Sequence, residues 1–378
     1  MEESNLIEEN QEDSEFEEVE EIQELFVPEK EVENIEKEKE FVDVLRMVAP
    51  GTSLRTALDD LLRARMGALI VFENEYLSSI VEKGFKINCK FSYQRLVELC
   101  KMDGAIILSK DGKKILYANS LLIPSSDIST NETGTRHKAA QRTARQAKTI
   151  SIAVSERKNK ISIFYQNHHH ILEKSSDILR KATETLQILD RQKEAFNDLL
   201  NNLNLLELTR SVTIKDVSIV LQRAEIVKRI SDIIKKYLIE LGQEGVIIRM
   251  RLKELIGNVN RDQEIILRDY FGNEYSYYLE LLEKMNFDFL LEPMNISRML
   301  FEELHDKSIS PRGLRILSKT NLLERYVDSL INHFKTLDRI LVSHDGELIE
   351  ILESEAMVDF FRQELYNLKE KISIGKRI

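Results

Sequence analysis

The sequence predicts an α/β N-terminal domain with a central mixed sheet, then an all-α helical spine and a small C-terminal domain. Short apolar runs alternate with amphipathic helices between residues 53 and 170, which is typical of an α/β domain. No proline occurs between residues 125 and 292 and no glycine between 135 and 241, so nothing local interrupts long helices there. The change from the first sequence pattern to the second predicts where the sheet ends and the helical spine begins.

Charge separates the N-terminus from the rest of the chain. The first 40 residues carry 18 acidic and 3 basic side chains, whereas the remaining 338 of 378 carry 51 basic and 47 acidic. An acidic block with few aromatic side chains predicts a disordered tail over residues 1–40. A role for this tail in competing with nucleic acid for basic surfaces is an alternative interpretation.

The composition indicates a cytoplasmic protein. No apolar stretch reaches the length of a membrane span, and the start "MEESNLIEENQED" lacks the basic and apolar segments of a secretory signal. The two cysteines, Cys89 and Cys100, fit no zinc-binding spacing. We therefore expect reduced thiols that pack in the core, with no membrane contact.

Each element of the first domain follows from its local pattern. "SLRTALDDLLRARMG" offers Ser53 as an N-cap and spaces its leucines for a helix, and "SYQRLVELCKM" predicts a second one. Apolar runs rich in β-branched residues predict strands over 67–72, 103–109, 113–123, 149–155 and 160–166. The run His168, His169, His170 lies past the last of these, and we expect a solvated loop there rather than a metal site.

The stretch "ETGTRHKAAQRTARQAK", residues 132–148, places three cation-capable side chains at the start of a helix. Arg136, His137 and Lys138 follow a Gly-Thr pair and open the helix 31 residues after Gly104. Free amides and the helix macrodipole attract anions at such a terminus, so the pattern fits a phosphate. A basic surface helix is the alternative.

Heptad spacing marks the spine between residues 172 and 206. Apolar side chains fall on two seven-residue tracks, which is typical of a coiled coil or helical bundle. One track holds Leu172, Leu179, Leu186 and Leu200, and the other holds Ala182, Leu189, Phe196 and Leu203. A spacer between domains and an oligomerising spine are both compatible with this pattern.

Four motifs together resemble the diadenylate cyclase family: "MDGAIILS", "YANSLLIP", "ETGTRHK" and "IAVSERKNKIS". Further matching segments, "MVAPGTSLRTALDDLLRARMGALIVF" and "ELGQEGVIIRMRLKELIGNVNRDQ", extend the resemblance over most of the chain. The resemblance implies a nucleotidyltransferase that joins two ATP molecules into cyclic di-AMP and releases two pyrophosphates, with Mg²⁺ or Mn²⁺ as cofactor. In the family an Asp-Gly-Ala and an Arg-His-Arg motif face one ATP.

The resemblance also implies which residues do the chemistry. Asp103 would hold the metal and help deprotonate the attacking hydroxyl, with Arg136 and His137 as the other catalytic residues. ATP contacts would come from Gly104, Leu122 at the adenine, Thr135, Arg136, His137, Lys138, Ala139 through its backbone, and Ser155. Lys138 stands where the family usually has Arg, so the positive charge is kept but the bidentate fork is lost, and we expect retuned ATP binding.

Domain bounds and partners complete the expectations. The cyclase domain should cover residues 41–170, the spine 171–300, and a degenerate helix-hairpin-helix-like domain 301–378. The resemblance implies face-to-face cyclase domains in a homo-octamer, and binding of branched DNA that links the enzyme to DNA damage and repair.

The C-terminal residues argue against tight DNA binding. The second hairpin reads "LESEAMVDFF" without glycine, and residues 308–372 hold 9 basic and 11 acidic side chains, which disfavours contact with a phosphate backbone. A DNA-associated scaffold that binds ATP with little turnover is the alternative function.

Overall fold

The computed structural model describes residues 41–373, which divide into two compact units. One unit consists of residues 41–184 and 234–250, and the other of residues 185–233 and 251–373. The acidic tail predicted for residues 1–40 lies outside the described residues. Over the described range, no helix has the length and apolar character needed to cross a membrane.

An eight-stranded mixed sheet organises the first unit, as predicted. The strand order is β2-β5-β4-β1-β6-β7-β8, with β3 also paired to β5. The β1–β4 pair is parallel and the other pairs are antiparallel. The strands are β1 (Ala68–Phe72), β2 (Val81–Glu82), β3 (Phe85–Lys90), β4 (Ala105–Leu108), β5 (Lys114–Leu122), β6 (Ile150–Ser155), β7 (Lys160–Tyr165) and β8 (His168–Leu172).

Helices cover both faces of this sheet. Successive side chains of a strand point to opposite faces, so Ile70 packs in one core cluster and Val71 in another. The first face meets residues 41–47, which are helical, α1 (Ser53–Arg63) and α2 (Tyr93–Leu99). The second face meets α3 (Thr135–Ala147), whose alanines let the helix approach the sheet closely.

The N-cap of α1 differs from the prediction by one residue. Thr52, not Ser53, has extended backbone, and its side chain accepts a hydrogen bond from the Arg55 N–H. Both residues carry a hydroxyl, so sequence alone does not separate them. The cysteine prediction is confirmed for Cys100, where burial raises the thiol pKa to about 12, whereas Cys89 is only half-buried.

The expectation of a loop at the histidine run is wrong, because His168–His170 belong to β8 and pair with β7. The first ring of the run stacks on Phe41 at 5.1 Å and the second on Phe164 at 4.5 Å between centroids. The third places Nε2 3.0 Å from a carboxylate oxygen of Glu240. Backbone pairing with β7 and ring stacking thus stabilise β8, although its polar histidines are not typical of a strand. Among the described residues no group of three His, Cys, Asp or Glu could hold a metal ion.

Helices make up the remainder of the described chain. On the second heptad track Ala182, Leu189, Phe196 and Leu203 are all buried, which confirms that track as core. The first track is not equivalent, because Leu179 is 40% exposed. The helices are α4 (Ser175–Thr209), α5 (Ile214–Leu241), α6 (Val246–Ile256), α7 (Val259–Phe271), α8 (Tyr275–Lys284), α9 (Phe287–Leu290), α10 (Pro293–Phe301), α11 (Leu314–Leu317), α12 (Glu324–Phe334), α13 (Leu337–Val342), α14 (Asp345–Leu352) and α15 (Glu355–Ser373).

The last two helices, α14 and α15, form a hairpin with its own apolar contacts. Leu352 and Phe361 are fully buried in a shared core cluster. The turn consists of Glu353 and Ser354, and Glu353 has a φ of 64°, in the left-handed region that favours glycine. A carboxylate side chain therefore stands at a position whose backbone conformation favours glycine.

Candidate functional site

Two strands bring an acidic and an apolar side chain to one edge of the sheet. β4 begins where the antiparallel β5 ends, and their register pairs Ala105 with Ser120. Asp103 lies two residues before β4 and Leu122 is the last residue of β5, so both lie at this edge of the sheet. Asp103 is exposed and forms no hydrogen bond or ion pair with the described residues, so its carboxylate is available to a ligand.

Gly104 allows this close approach between neighbouring strands. Its φ is +86°, and a Cβ at this position would lie 2.9 Å from the carbonyl oxygen of Ser120 and 3.0 Å from Asn119 atoms. Both the conformation and the space exclude a larger residue. Gly104 thereby sets the backbone of the Asp-Gly-Ala segment against β5.

The parallel neighbour of β4 begins at the same edge. β1 runs parallel to β4 and pairs Ile70 with Ile106, so Gly67, which immediately precedes β1, lies at the edge where β4 begins. The antiparallel β6 ends here as well, with Ser155 as its last residue. Its Oγ accepts the backbone N–H of Lys158 at 3.2 Å, which shapes the turn after β6.

Helix α3 begins at this edge with unpaired amides. Gly134 is the N-cap and provides no side-chain bond, and the first amide bonded within the helix is that of Lys138, which donates to the Gly134 carbonyl at 2.8 Å. The amides of Thr135, Arg136 and His137 are therefore free to bind an anion. The side chains of Thr135, Arg136 and Lys138 are exposed.

His137 differs from its neighbours because its side chain is buried. Only 7% of it is exposed, and Nε2 has no hydrogen-bond partner among the described residues. Its ring meets Phe164 edge-on at 6.4 Å. Burial lowers the pKa of His137, an effect that Glu132 opposes and that Lys160 and Lys158 reinforce. Burial thus favours the neutral form of the imidazole.

A second histidine, which the sequence reasoning missed, lies in the same neighbourhood. His169 of β8 stacks on Phe164, and its Nε2 lies 3.6 Å from a carboxylate oxygen of Glu132. Burial lowers the pKa of His169 as well. Two histidines and one carboxylate therefore surround a single buried phenylalanine beside the start of α3. The signal in the sequence was the histidine run itself.

The later basic residues of α3 have a different role from the first ones. Arg142 donates to the carbonyls of Ile128 at 2.9 Å and Ser126 at 3.0 Å, and Arg145 donates to that of Ser129. These guanidinium groups tie down the loop that leads into the helix. They are occupied by backbone, whereas Arg136 has no such bond.

The remaining predicted residues take unequal positions. Leu122 is half-buried at the end of β5, and Ala139 packs its side chain against the core cluster between α3 and the sheet. Ala139 could therefore contact a ligand only through its backbone.

The residues at this edge suit a metal ion that binds together with the phosphates of a nucleotide. Asp103 is an exposed carboxylate at the edge of the sheet where β1 and β4 begin and β5 and β6 end. Mg²⁺ is commonly bound by one or two carboxylates together with substrate phosphates and water, and Mn²⁺ accepts the same oxygen ligands. One carboxylate beside an anion-binding helix terminus fits that mode of binding.

Comparisons with known proteins find relatives of this chain. A family model described as "DisA bacterial checkpoint controller nucleotide-binding" matches residues 55–169, and "DisA bacterial checkpoint controller linker region" matches residues 172–305. The chain is 40% identical over 357 residues to the DNA integrity scanning protein DisA of Clostridioides difficile, covering 92% of this chain and 100% of that protein.

Two further similarities cover different shares of the chain. The DNA integrity scanning protein DisA of Acetivibrio thermocellus is 43% identical over 324 residues, covering 83% of this chain and 90% of that protein. Among solved structures, DacA from Staphylococcus aureus is 27% identical and covers 37% of this chain and 90% of its own, with a TM-score of 0.28.

Proposed function

Because this chain belongs to the DisA bacterial checkpoint controller family, we propose that it condenses two ATP molecules into cyclic di-AMP and two pyrophosphates. One observation carries the proposal: a free carboxylate and a free helix N-terminus meet at one edge of the sheet. Asp103 supplies the carboxylate, and Arg136 and His137 lie in the first turn of α3. An anion site next to an acid is what nucleotidyl transfer requires.

In this proposal each ribose 3′-hydroxyl attacks the α-phosphate of the other nucleotide. A bond forms between the 3′-oxygen and phosphorus, the bond to the β-phosphate oxygen breaks, and pyrophosphate leaves with the electron pair. The hydroxyl proton passes to the Asp103 carboxylate. Positioning and charge stabilisation dominate transfers of this kind, and the first-turn amides with Arg136 and Lys138 provide both.

Asp103 would hold the Mg²⁺ or Mn²⁺ ion, which supplies neutralisation of the triphosphate charge. His137 is placed to donate a hydrogen bond from its unpaired Nε2 once a phosphate oxygen lies above it. Leu122 offers an apolar surface to the adenine.

Each nucleotide is both nucleophile and electrophile, so two sites must face each other. We therefore propose that two copies of the first unit meet around a two-fold axis, within the octamer that the family resemblance implies. A single copy would bind ATP without completing either bond.

The proposed reaction is tested by incubating the full chain with ATP and Mg²⁺ or Mn²⁺ and measuring cyclic di-AMP by mass spectrometry. Cyclic di-AMP and pyrophosphate in a ratio of one to two are the expected products, and chelation of the metal should stop their formation. Thermal stabilisation by ATP without any cyclic di-AMP would instead support a DNA-associated scaffold that binds but does not convert ATP.

Removing the side chains of Arg136 and His137 should abolish nucleotide binding. In the parent, ATP at 100 times its dissociation constant stabilises the fold by about 2.7 kcal/mol. We expect Arg136→Ala with His137→Ala to reduce this shift to near zero in a thermal melt, because the guanidinium and imidazole donors to phosphate are lost and Lys138 with the amides is not sufficient.

Lys110→Ala is the control for that double variant, since this exposed lysine lies beyond the opposite end of β4. His137 is buried, so replacing it can lower stability even without ATP. If the double variant is less stable without ATP, the ATP shift of Arg136→Ala alone is compared with that of the parent. An unchanged ATP shift in both variants would make α3 a basic surface helix.

We also propose that the C-terminal helices bind branched DNA and couple cyclase activity to the state of the DNA. The names of the relatives support a link to DNA integrity. A hairpin between helices can present backbone amides to phosphates. The carboxylates of Glu353 and Glu355 flank the turn, so we expect weak binding that depends strongly on salt.

Restoring glycines should improve that binding beyond the effect of charge. Glu353→Gly with Glu355→Gly removes two negative charges and relaxes the left-handed backbone, whereas Glu353→Gln with Glu355→Gln removes only the charges. We expect the glycine pair to bind a labelled four-way junction about two- to fivefold more tightly than the glutamine pair, measured by anisotropy. Equal gains would mean that charge alone limits binding. Tight binding by the parent at physiological salt would show that the hairpin is not needed.

A further inference from the structure

Gly67 lies at the edge of the sheet where β1 and β4 begin and where β5 and β6 end. It immediately precedes β1, which runs parallel to β4, so it lies at the edge of the sheet where β4 begins. On the other side, β1 pairs Ala68 with Val154 of β6, so Gly67 falls beside Ser155. It thus lies next to a proposed phosphate contact and at the same edge as the proposed metal ligand, although it carries no functional group of its own.

The guanidinium of Arg136 occupies the space where a side chain of residue 67 would be. A Cβ built on Gly67 would lie 2.6 Å from Nη1, 3.2 Å from Cζ and 3.7 Å from Nε of Arg136. The first of these distances is shorter than real Cβ contacts, so any side chain at this position displaces the guanidinium. Arg136 forms no hydrogen bond or ion pair with other described residues, and its guanidinium lies against the backbone of Gly67.

The glycine is not required by the backbone conformation. Its φ lies outside the left-handed region, unlike that of Gly104 at +86°. The clash also involves the far end of a flexible side chain. At Gly84, by contrast, a Cβ would lie 2.1 Å from the backbone oxygen of Asn119, which cannot move without disturbing β5. Alanine at position 67 should therefore leave the fold intact and move only Arg136.

We propose that Gly67 is a positioning residue for ATP: by lacking a side chain, it lets the Arg136 guanidinium lie against the backbone at the start of β1. This inference rests on the proposed function for its ligand. An arginine held in one plane can offer two parallel N–H donors to a phosphate, whereas a displaced one offers at most a diffuse charge. The position of Arg136, rather than its presence alone, then sets the ATP affinity.

A double-mutant cycle between Gly67→Ala and Arg136→Ala tests this role. The apparent dissociation constant for ATP is measured from the concentration dependence of the thermal shift, and KM and kcat from initial rates of cyclic di-AMP formation. We expect Gly67→Ala to weaken ATP binding about tenfold, the effect of one lost charge-assisted hydrogen bond, with the melting temperature without ATP unchanged. The double variant should bind ATP no more weakly than Arg136→Ala.

Two other glycines provide matched controls. An added Cβ at Gly346 meets nothing within 4 Å, so Gly346→Ala should neither lower stability nor change ATP binding, and Gly84→Ala should lower the melting temperature without ATP. The inference is overturned if Gly67→Ala binds ATP like the parent, or if its effect adds in full to that of Arg136→Ala. It is also overturned if Gly67→Ala destabilises the chain as Gly84→Ala does, because the contact would then be structural.

Failure of the proposed reaction gives a different result. A parent protein that is stabilised by ATP but forms no cyclic di-AMP would refute the cyclase, while the thermal-shift cycle would still decide the role of Gly67. A parent that does not bind ATP at all would refute both.

Discussion

We expect Asp103→Asn to lower the rate of cyclic di-AMP formation at least about 100-fold, the usual scale for removing a key charge-stabilising group. The substitution keeps the size of the side chain but removes the anionic oxygen that would bind the metal and accept the hydroxyl proton. Since Asp103 is exposed and forms no bond to the described residues, the fold should not change. Initial rates at saturating ATP, with far-UV circular dichroism as a check of the fold, provide the measurement.

Asp111→Asn is the matched control. Asp111 is exposed in the turn beyond the opposite end of β4, where it accepts hydrogen bonds from the Ser109 hydroxyl at 2.6 Å and the Lys113 N–H at 3.1 Å. This variant undergoes the same chemical change in the same unit and should retain the parent rate within about twofold. A rate near that of the parent for Asp103→Asn would remove Asp103 from the mechanism.

Thermal shifts with ATP, measured with and without metal, separate a role of the Asp103 carboxylate in metal binding and reaction from a role in nucleotide recognition. If Asp103 acts on the reaction, ATP without metal should stabilise the Asn variant as much as the parent. The extra stabilisation that the metal adds should be lost, because the variant lacks the ligand oxygen. Loss of ATP binding in the absence of metal would instead place Asp103 in nucleotide recognition.

Much of the first unit could be predicted from local pattern. The apolar runs that predicted five strands are rich in Ile and Val, and the structure has β1, β4, β5, β6 and β7 there. The start of α3 followed from the Gly-Thr pair and the basic run. These elements have strong local preferences that agree with their surroundings, so the sequence alone is sufficient to identify them.

The elements that were missed depend on distant partners. β8 consists of three histidines with an isoleucine and a leucine, and it exists because β7 pairs with it and aromatic rings stack on it. β2 has only two residues and is defined by its pairing with β5. No periodicity can reveal a strand of that kind.

The candidate site shows the same division. The candidate motif residues were proposed from sequence, but the contact between Gly67 and Arg136 joins positions 69 apart and depends on how α3 packs against the start of β1. Likewise, Arg142 and Arg145 resemble Arg136 in sequence, yet they bind the loop before the helix. Charge pattern alone does not distinguish a cation that binds a ligand from one that binds backbone.

In the second unit, the largest effect on stability is expected at Asp269. This side chain is fully buried in α7 and accepts three backbone N–H bonds, from Gly313 and Leu314 at 2.7 Å and from Arg315 at 3.0 Å. Burial and the nearby Glu207 raise its pKa to about 6, and the N–H bonds oppose that rise. The carboxylate therefore anchors the start of α11.

The same cluster contains a buried ion pair. Arg315 contacts the carboxylate of Glu207 and the side-chain oxygen of Asn204, and the Tyr270 hydroxyl donates to Glu207 at 2.8 Å. Removing Asp269 leaves three buried amides without acceptors and changes the charge balance around this pair. Each unpaired amide costs the desolvation of a polar group.

We expect Asp269→Ala to lower the free energy of unfolding by about 3–5 kcal/mol, the range for breaking a buried charged network. Urea unfolding followed by circular dichroism measures the loss, and hydrogen exchange at residues 313–315 locates it. Asp216→Ala is the control, because Asp216 accepts one backbone N–H, from Thr213 at 2.9 Å, at the start of α5. A loss of about 1 kcal/mol is expected there. A larger loss for Asp269→Ala than for Asp216→Ala is expected because Asp269 belongs to a network of buried partners. Equal losses in the two variants would show that Asp269 acts as an ordinary helix cap.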